Sequence, residues 1–194
     1  MNPLNSLAGT LAAGVAAAVL VMAVLGKGVF NPWSLAVWLH VLCGIVWVGL
    51  LYYFNLVQVP AVAAASADGE GPGPAAINRY VAPRALFWFR WGAVATWLTG
   101  AAALETMGTG LASAFTLQDG VQVIGLGAWL GTIMLLNVWL LIWPSQRKLL
   151  GLVPATDAEK VRARQLALTA SRINTLLSLP MLMCMVGQGH GLPY

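Results

Sequence analysis

Charge is what this chain has least of. Of its 194 residues only 8% are charged, ten Lys or Arg against six Asp or Glu. Soluble domains carry about a quarter charged residues. The shortfall, with a mean hydropathy of +0.79, excludes water as the main solvent. Cysteine is scarce too. Cys43 and Cys184 both sit inside apolar runs, which argues against a disulfide framework and leaves the redox compartment unread. The first apolar run lacks the basic flank of a secretory signal and is expected to be retained from Met1. The net charge of +4 is placed at the ends of apolar runs, a topology signal that leaves no nucleic-acid footprint. No stretch reads as a separate soluble domain, and no internal repeat is evident.

Apolar sequence of membrane-crossing length is what the chain does have. A helix needs about 20 mostly apolar residues to cross a hydrocarbon core of roughly 30 Å. Five stretches qualify, at about 7–25, 33–57, 85–106, 121–143 and 165–188. The nine tryptophans suit the headgroup boundary. The expected fold is an all-α integral membrane protein: a single transmembrane domain over residues 1–194, a bundle of five transmembrane helices in the lipid bilayer. ASADGEGPGP (65–74) reads as a flexible connector, and AAINRYVAPR after it as a short interfacial helix ending at Pro83.

Basic residues then set the orientation. Arg79 and Arg84 follow the second stretch, and Arg147, Lys148, Lys160, Arg162 and Arg164 follow the fourth, whereas the other side has only Lys27. Basic loops stay cytoplasmic. This predicts a cytoplasmic N-terminus, a periplasmic C-terminus and a multi-pass place in the bacterial inner membrane.

That orientation gives both histidines a depth. His40, inside VWLHVLCGIVWVGLLYYFNLV, lies about 10 Å below the outer boundary at 1.5 Å per residue. His190 falls near the outer end of the fifth stretch, so the two approach one face. Ionisable residues at membrane depth are costly and often functional, and imidazole suits haem iron, copper or zinc. Gly44, one turn from His40, would leave a flat notch for a planar ring, and Trp47 follows on the same stripe. The plainer reading bonds His40 to a neighbouring helix, through Asn137 or Thr99, and leaves His190 solvated.

Towards the inner half, Arg90, Arg172 and Asn55 are candidate contacts for an anion or a propionate. Gln58 and Asn174 would join them in a polar layer, and the plainer alternative is arginine snorkelling with interhelical hydrogen bonds. Pro180 is expected to kink the fifth helix. PMLMCMVGQGH offers Met181, Met183, Cys184, Met185 and His190 as soft ligands for copper, or as core packing by flexible thioethers. The small-residue ridges Gly127–Gly131 and Gly92–Thr96–Gly100 predict close helix approach.

Four blocks carry a family resemblance: HVLCGIVWVGLLYYFNLVQVP, ALFWFRWGAVATWLTG, GTIMLLNVWLLIWPSQRKLLG and SRINTLLSLPMLMCMVGQGH. In this order they resemble the amino-terminal membrane domain of the bacterial membrane-bound urate oxidase family, over about two-thirds of the chain. The resemblance implies a redox role: full-length members join this region to a cytochrome c and are associated with oxidising urate to 5-hydroxyisourate. The motif with His40, Trp47, Gly49 and Tyr52 before Pro60 is also distantly similar to one in membrane protoporphyrinogen oxidases and copper-resistance membrane proteins; in the former, a histidine is thought to bind haem b. By that likeness His40 is the expected haem ligand. The chain departs from the family in having no CxxCH, so its electrons are expected to leave through a separate cytochrome c or another membrane subunit. Whether it is itself an oxidoreductase of urate oxidase type stays open. Two alternatives stand beside the haem protein: a cofactor-free accessory subunit of a larger respiratory or photosynthetic complex, and a copper or small-solute transporter.

Overall fold

Pro3–Asn5 form a single tight turn, and Ser6 then starts the first helix, α1 (Leu7–Leu25), by accepting the Gly9 N–H on its hydroxyl at 3.1 Å. The computed structural model describes residues 2–26 and 28–193. Lys27, the one charge between the first two stretches, lies outside the described residues, as do Met1 and Tyr194. The chain forms two compact units, residues 1–32 and 33–194. In the first, α1 is Ala-, Val- and Leu-rich with no buried face. The expected limits of this stretch, 7–25, coincide with the observed helix.

The second unit holds α2 (Pro32–Ala67), α3 (Ala82–Thr106), the short α4 (Leu111–Phe115), α5 (Gln122–Leu149) and α6 (Asp157–His190). No strand occurs among the described residues. Four helices, α1, α2, α5 and α6, are long and apolar enough to cross a membrane. The 25-residue α3 has the length, but it carries Arg84, Arg90 and Glu105 and is not among the four.

Three helices outrun the expected stretches because their prolines do not stop them. Proline lacks an N–H and its ring strikes the carbonyl four residues back. Here each of three prolines is preceded by one wide π-helical turn: Phe54–Gln58 before Pro60, Ile77–Val81 before Pro83, Val138–Ile142 before Pro144. In each, the N–H just before the proline bonds the carbonyl five residues back: Val59 to Phe54, Ala82 to Ile77, Trp143 to Val138. The extra residue in the turn makes room for the ring. The expected interfacial helix ending at Pro83 is therefore corrected: its π-turn runs directly into α3, with Pro83 in the first turn. Pro180 lies inside α6, which continues through it to His190.

The start of α6 shows the opposite error, since it begins at Asp157 and not near 165. Thr156 accepts the Glu159 N–H on its hydroxyl at 3.3 Å, and the Glu159 carboxylate accepts the Thr156 N–H at 2.9 Å. This reciprocal cap carries two charged turns out of the apolar zone.

Contacts between helices fix an alternating up-and-down order within the second unit. Val46 and Trp47 of α2 lie against Gly92 of α3, and His40 lies against Gly100. Trp97 of α3 bonds Thr132 of α5, while Arg90 stacks on Trp143. Asn137 bonds Asn174 of α6, and Gln188 bonds back to Ile124 and Gly120. Every neighbouring pair is antiparallel. The core between them is Trp47, Leu51 and Phe54 of α2, Leu86, Phe89 and Ala93 of α3, Met134, Val138 and Ile142 of α5, and Ala170 and Met181 of α6. Large apolar side chains such as Leu98, Ile133, Leu136, Leu176 and Leu179 point outward. Helices apolar on both faces belong in a lipid bilayer.

Candidate functional site

Gly92, Thr96 and Gly100 recur every fourth residue of α3 and form a groove of small side chains along one face. A Cβ added at Gly92 would stand 3.3 Å from Val46 Cγ1 and 3.5 Å from the Trp47 backbone nitrogen. At Gly100 it would stand 2.8 Å from His40 Cε1 and 2.9 Å from its Nδ1. The imidazole therefore sits on bare backbone. From that seat Nδ1–H donates to the Thr96 carbonyl at 2.8 Å. That carbonyl also accepts the Thr99 hydroxyl at 3.1 Å. With its proton held on Nδ1, the neutral ring keeps its lone pair on Nε2. Anchoring one ring nitrogen to a carbonyl is what orients a histidine for ligation through the other.

The stripe His40, Gly44, Trp47 is thus the contact face towards α3. The space beside Gly44 is little filled: a Cβ there would meet only Thr96 Cγ2, at 3.9 Å. Trp47 is 2% exposed, and its indole N–H has no partner among the described residues. His40 reaches the helix of Thr99 as the plainer reading expects, but at the Thr96 carbonyl and not at either named side chain.

The expected inner polar layer resolves into separate pairs. Asn55 donates to Ser171 at 2.8 Å and to the Leu51 carbonyl at 2.9 Å. Asn174, wholly buried, takes a hydrogen bond from Asn137 at 2.9 Å and gives one to the Met134 carbonyl at 3.0 Å. Ser178 spends its proton on the Thr175 carbonyl, so the Tyr52 hydroxyl donates to Ser178 at 2.9 Å. Gln58 leaves a buried oxygen unpartnered. Arg90 lies 3.2 Å over the Trp143 ring, near Trp139 at 5.8 Å, and donates to the Leu86 carbonyl. Arg172 is exposed. Among the described residues no hydrogen bond joins Arg90, Arg172 and Asn55 to one another, though Asn55 bonds Ser171, the neighbour of Arg172 in sequence.

His190 is exposed and shares its Nδ1 with the Val186 carbonyl at 3.2 Å, within its own helix. Counting from the Tyr52–Ser178 bond, His40 and His190 each stand twelve residues towards the same end. Their axial heights therefore agree at roughly 18 Å from that bond. The soft-ligand cluster divides between two faces. Met181 and Cys184 are buried, with Cys184 against Gly127, whereas Met183 and His190 face outward. Gly131, the other half of that ridge, touches nothing within 4 Å of its would-be Cβ. Among the described residues no three His, Cys, Asp or Glu side chains group as a metal site.

Residues 111–194 match one family model. The family is urate oxidase N-terminal. The urate oxidase N-terminal match takes in α4, α5 and α6, with Asn137, Asn174 and His190, and contains the two later blocks of the resemblance. The segments holding His40 and Arg90 precede it. No curated protein and no solved structure matches the chain. Thr96 and Gly100, which hold the His40 ring, drew attention in the sequence only as a packing ridge. Ser171 and Ser178 had no signal beyond being polar in an apolar stretch.

Proposed function

We propose that this chain is a membrane-integral redox protein related to the membrane domain of urate oxidase, with His40 as a haem b ligand and a separate cytochrome c as electron acceptor. In this reading it has five spans in the bacterial inner membrane, N-terminus cytoplasmic and C-terminus periplasmic. The observation that carries it is the His40 ring, held by Nδ1–H to the Thr96 carbonyl with Nε2 left as a donor. His190, at a matching height with its own Nδ1 on a carbonyl, is the candidate second ligand. The donor set fits haem, which would supply one-electron transfer when bound. The chain's own share is to hold the imidazole: Gly100 gives the seat and Thr96 the acceptor. Urate would be oxidised, if at all, in partnership with that cytochrome.

The test is an absorption spectrum of the purified protein before and after dithionite. A Soret band that shifts on reduction, lost in His40→Ala with helicity by circular dichroism unchanged, is expected. A helical protein with no Soret band after haem loading, or the same spectrum in His40→Ala, overturns the reading. That outcome favours the cofactor-free accessory subunit, which is supported by the mutual pairing of Asn55, Asn137, Asn174 and Tyr52 across helices.

A further inference from the structure

At the basic end of the second unit, α5 and α6 enclose a cleft of about 320 Å³. Its walls change character along the helix axis. Leu140 of α5 and Leu166 of α6, both exposed, line its apolar end, Ser145 its middle, and Lys148, Glu159 and Arg162 its charged end. Because the helices run antiparallel, both pass from apolar to charged in the same direction. From Leu140 to Lys148 the rise is about 12 Å at 1.5 Å per residue. That exceeds an interfacial zone of roughly 5–8 Å and so reaches the hydrocarbon.

The charge at that end is unbalanced. Lys148 pairs with Glu159 at 3.2 Å, and Lys160 with Asp157 at 3.4 Å. Arg147, Arg162 and Arg164 make no ion pair among the described residues. Of these three, Arg162 alone lines the cleft. A guanidinium presents a fork of N–H donors that matches phosphate oxygens. An occupant must therefore offer one anionic oxygen cluster at the water boundary, continuous with an apolar tail about a dozen ångströms long. An uncharged fatty chain would leave Arg162 unmatched, and a soluble phosphate would leave the leucine walls bare. Basic clefts between transmembrane helices on the cytoplasmic side suit anionic headgroups.

We infer that this cleft is a binding site for an anionic phospholipid, its phosphate on Arg162 and its upper acyl methylenes between Leu140 and Leu166. The site is independent of haem, since it lies at the end of the unit opposite His40.

The full chain, purified in a neutral detergent and delipidated, is titrated with phosphatidylglycerol, phosphatidylcholine or glycerol phosphate, and its thermal unfolding is followed. Phosphatidylglycerol is expected to raise the midpoint saturably, and the other two not. Arg162→Gln should weaken the apparent affinity about fivefold, the share of one basic residue at a membrane surface. Arg162→Lys, keeping the charge without the fork, should fall between. Arg164→Gln removes an equal charge beside the cleft and should leave the affinity unchanged. An equal shift with phosphatidylcholine, the same shift with glycerol phosphate, or equal losses in Arg162→Gln and Arg164→Gln would each overturn the inference. So would the absence of any shift with phosphatidylglycerol.

Discussion

Two glycines on facing helices, Gly44 and Gly100, give the His40 seat its sharpest test. Each Gly→Ala change adds one methyl to a helix, so the intrinsic gain in helix propensity, up to about 1 kcal/mol, is common to both. What differs is the space. At Gly44 the new methyl meets Thr96 Cγ2 at 3.9 Å, an ordinary van der Waals contact. At Gly100 it falls 2.8 Å from His40 Cε1, closer than packed carbons approach. Overpacking of that kind costs about 1–3 kcal/mol. If the ring swings away instead, the bond to Thr96 goes, at about 0.5–1.5 kcal/mol. Gly44→Ala should therefore leave stability unchanged or raise it, and Gly100→Ala should lie about 1–3 kcal/mol below it. The assay is reversible unfolding in mixed detergent micelles, with the double-mutant cycle closed by His40→Ala. Without the ring, Gly100→Ala should cost no more than Gly44→Ala. If Gly100→Ala keeps its full cost in the His40→Ala background, or never had one, the imidazole does not occupy that seat and the argument for a pre-aimed Nε2 fails.

Other expectations follow from the pairs between helices. Asn174→Ala strands Asn137 and the Met134 carbonyl and should cost about 1–2 kcal/mol, whereas Ser171→Ala should cost nearer 0.6 kcal/mol, the average for interhelical bonds in membranes; the same unfolding assay separates them. Arg90→Gln removes the guanidinium from the Trp143 face and should lose about 1 kcal/mol, with Arg90→Lys losing less; a larger loss for lysine would contradict a stacking role. Glu159, in the charged turns ahead of the apolar part of α6, has its carboxyl held at about 2 by the Thr156 N–H, the Thr156 hydroxyl and Lys148. Because the folded value is lowered, its contribution is full above the ordinary 4.5 and is lost as pH falls towards 2. Amide exchange in the first turn of α6 should therefore differ between wild type and Glu159→Gln at pH 6 and converge near pH 2.

How much of this was legible in the sequence varied with the physics. Residues 7–25 were placed correctly because length and hydropathy alone decide an uninterrupted apolar helix. The limits of α2, α3 and α5 were not, because apolar length set the ends, Pro83 read as a stop, and nothing local announces the wide turns that absorb Pro60, Pro83 and Pro144. The start of α6 had a readable signal in TDAE, a capping box ahead of an apolar run, which hydropathy overrode. For His40 the sequence offered two neighbouring helices, those of Asn137 and Thr99, and the ring bonds the second. The sequence could not reveal a backbone carbonyl as the partner, since every residue has one. Nor could it tell Gly44 from Gly100: both lie one helical turn or one helix away from His40, and only packing decides which glycine the ring covers.

The three wide turns have a mechanical consequence. Such turns interrupt the regular α-helical ladder and are places where helices bend. The two within α2 and α5, at Phe54–Gln58 and Val138–Ile142, flank the same stretch of α6, where Asn55 meets Ser171 and Asn137 meets Asn174. Any bend of α2 or α5 at these turns is therefore level with the two polar pairs, whereas His40 lies in regular α-helix.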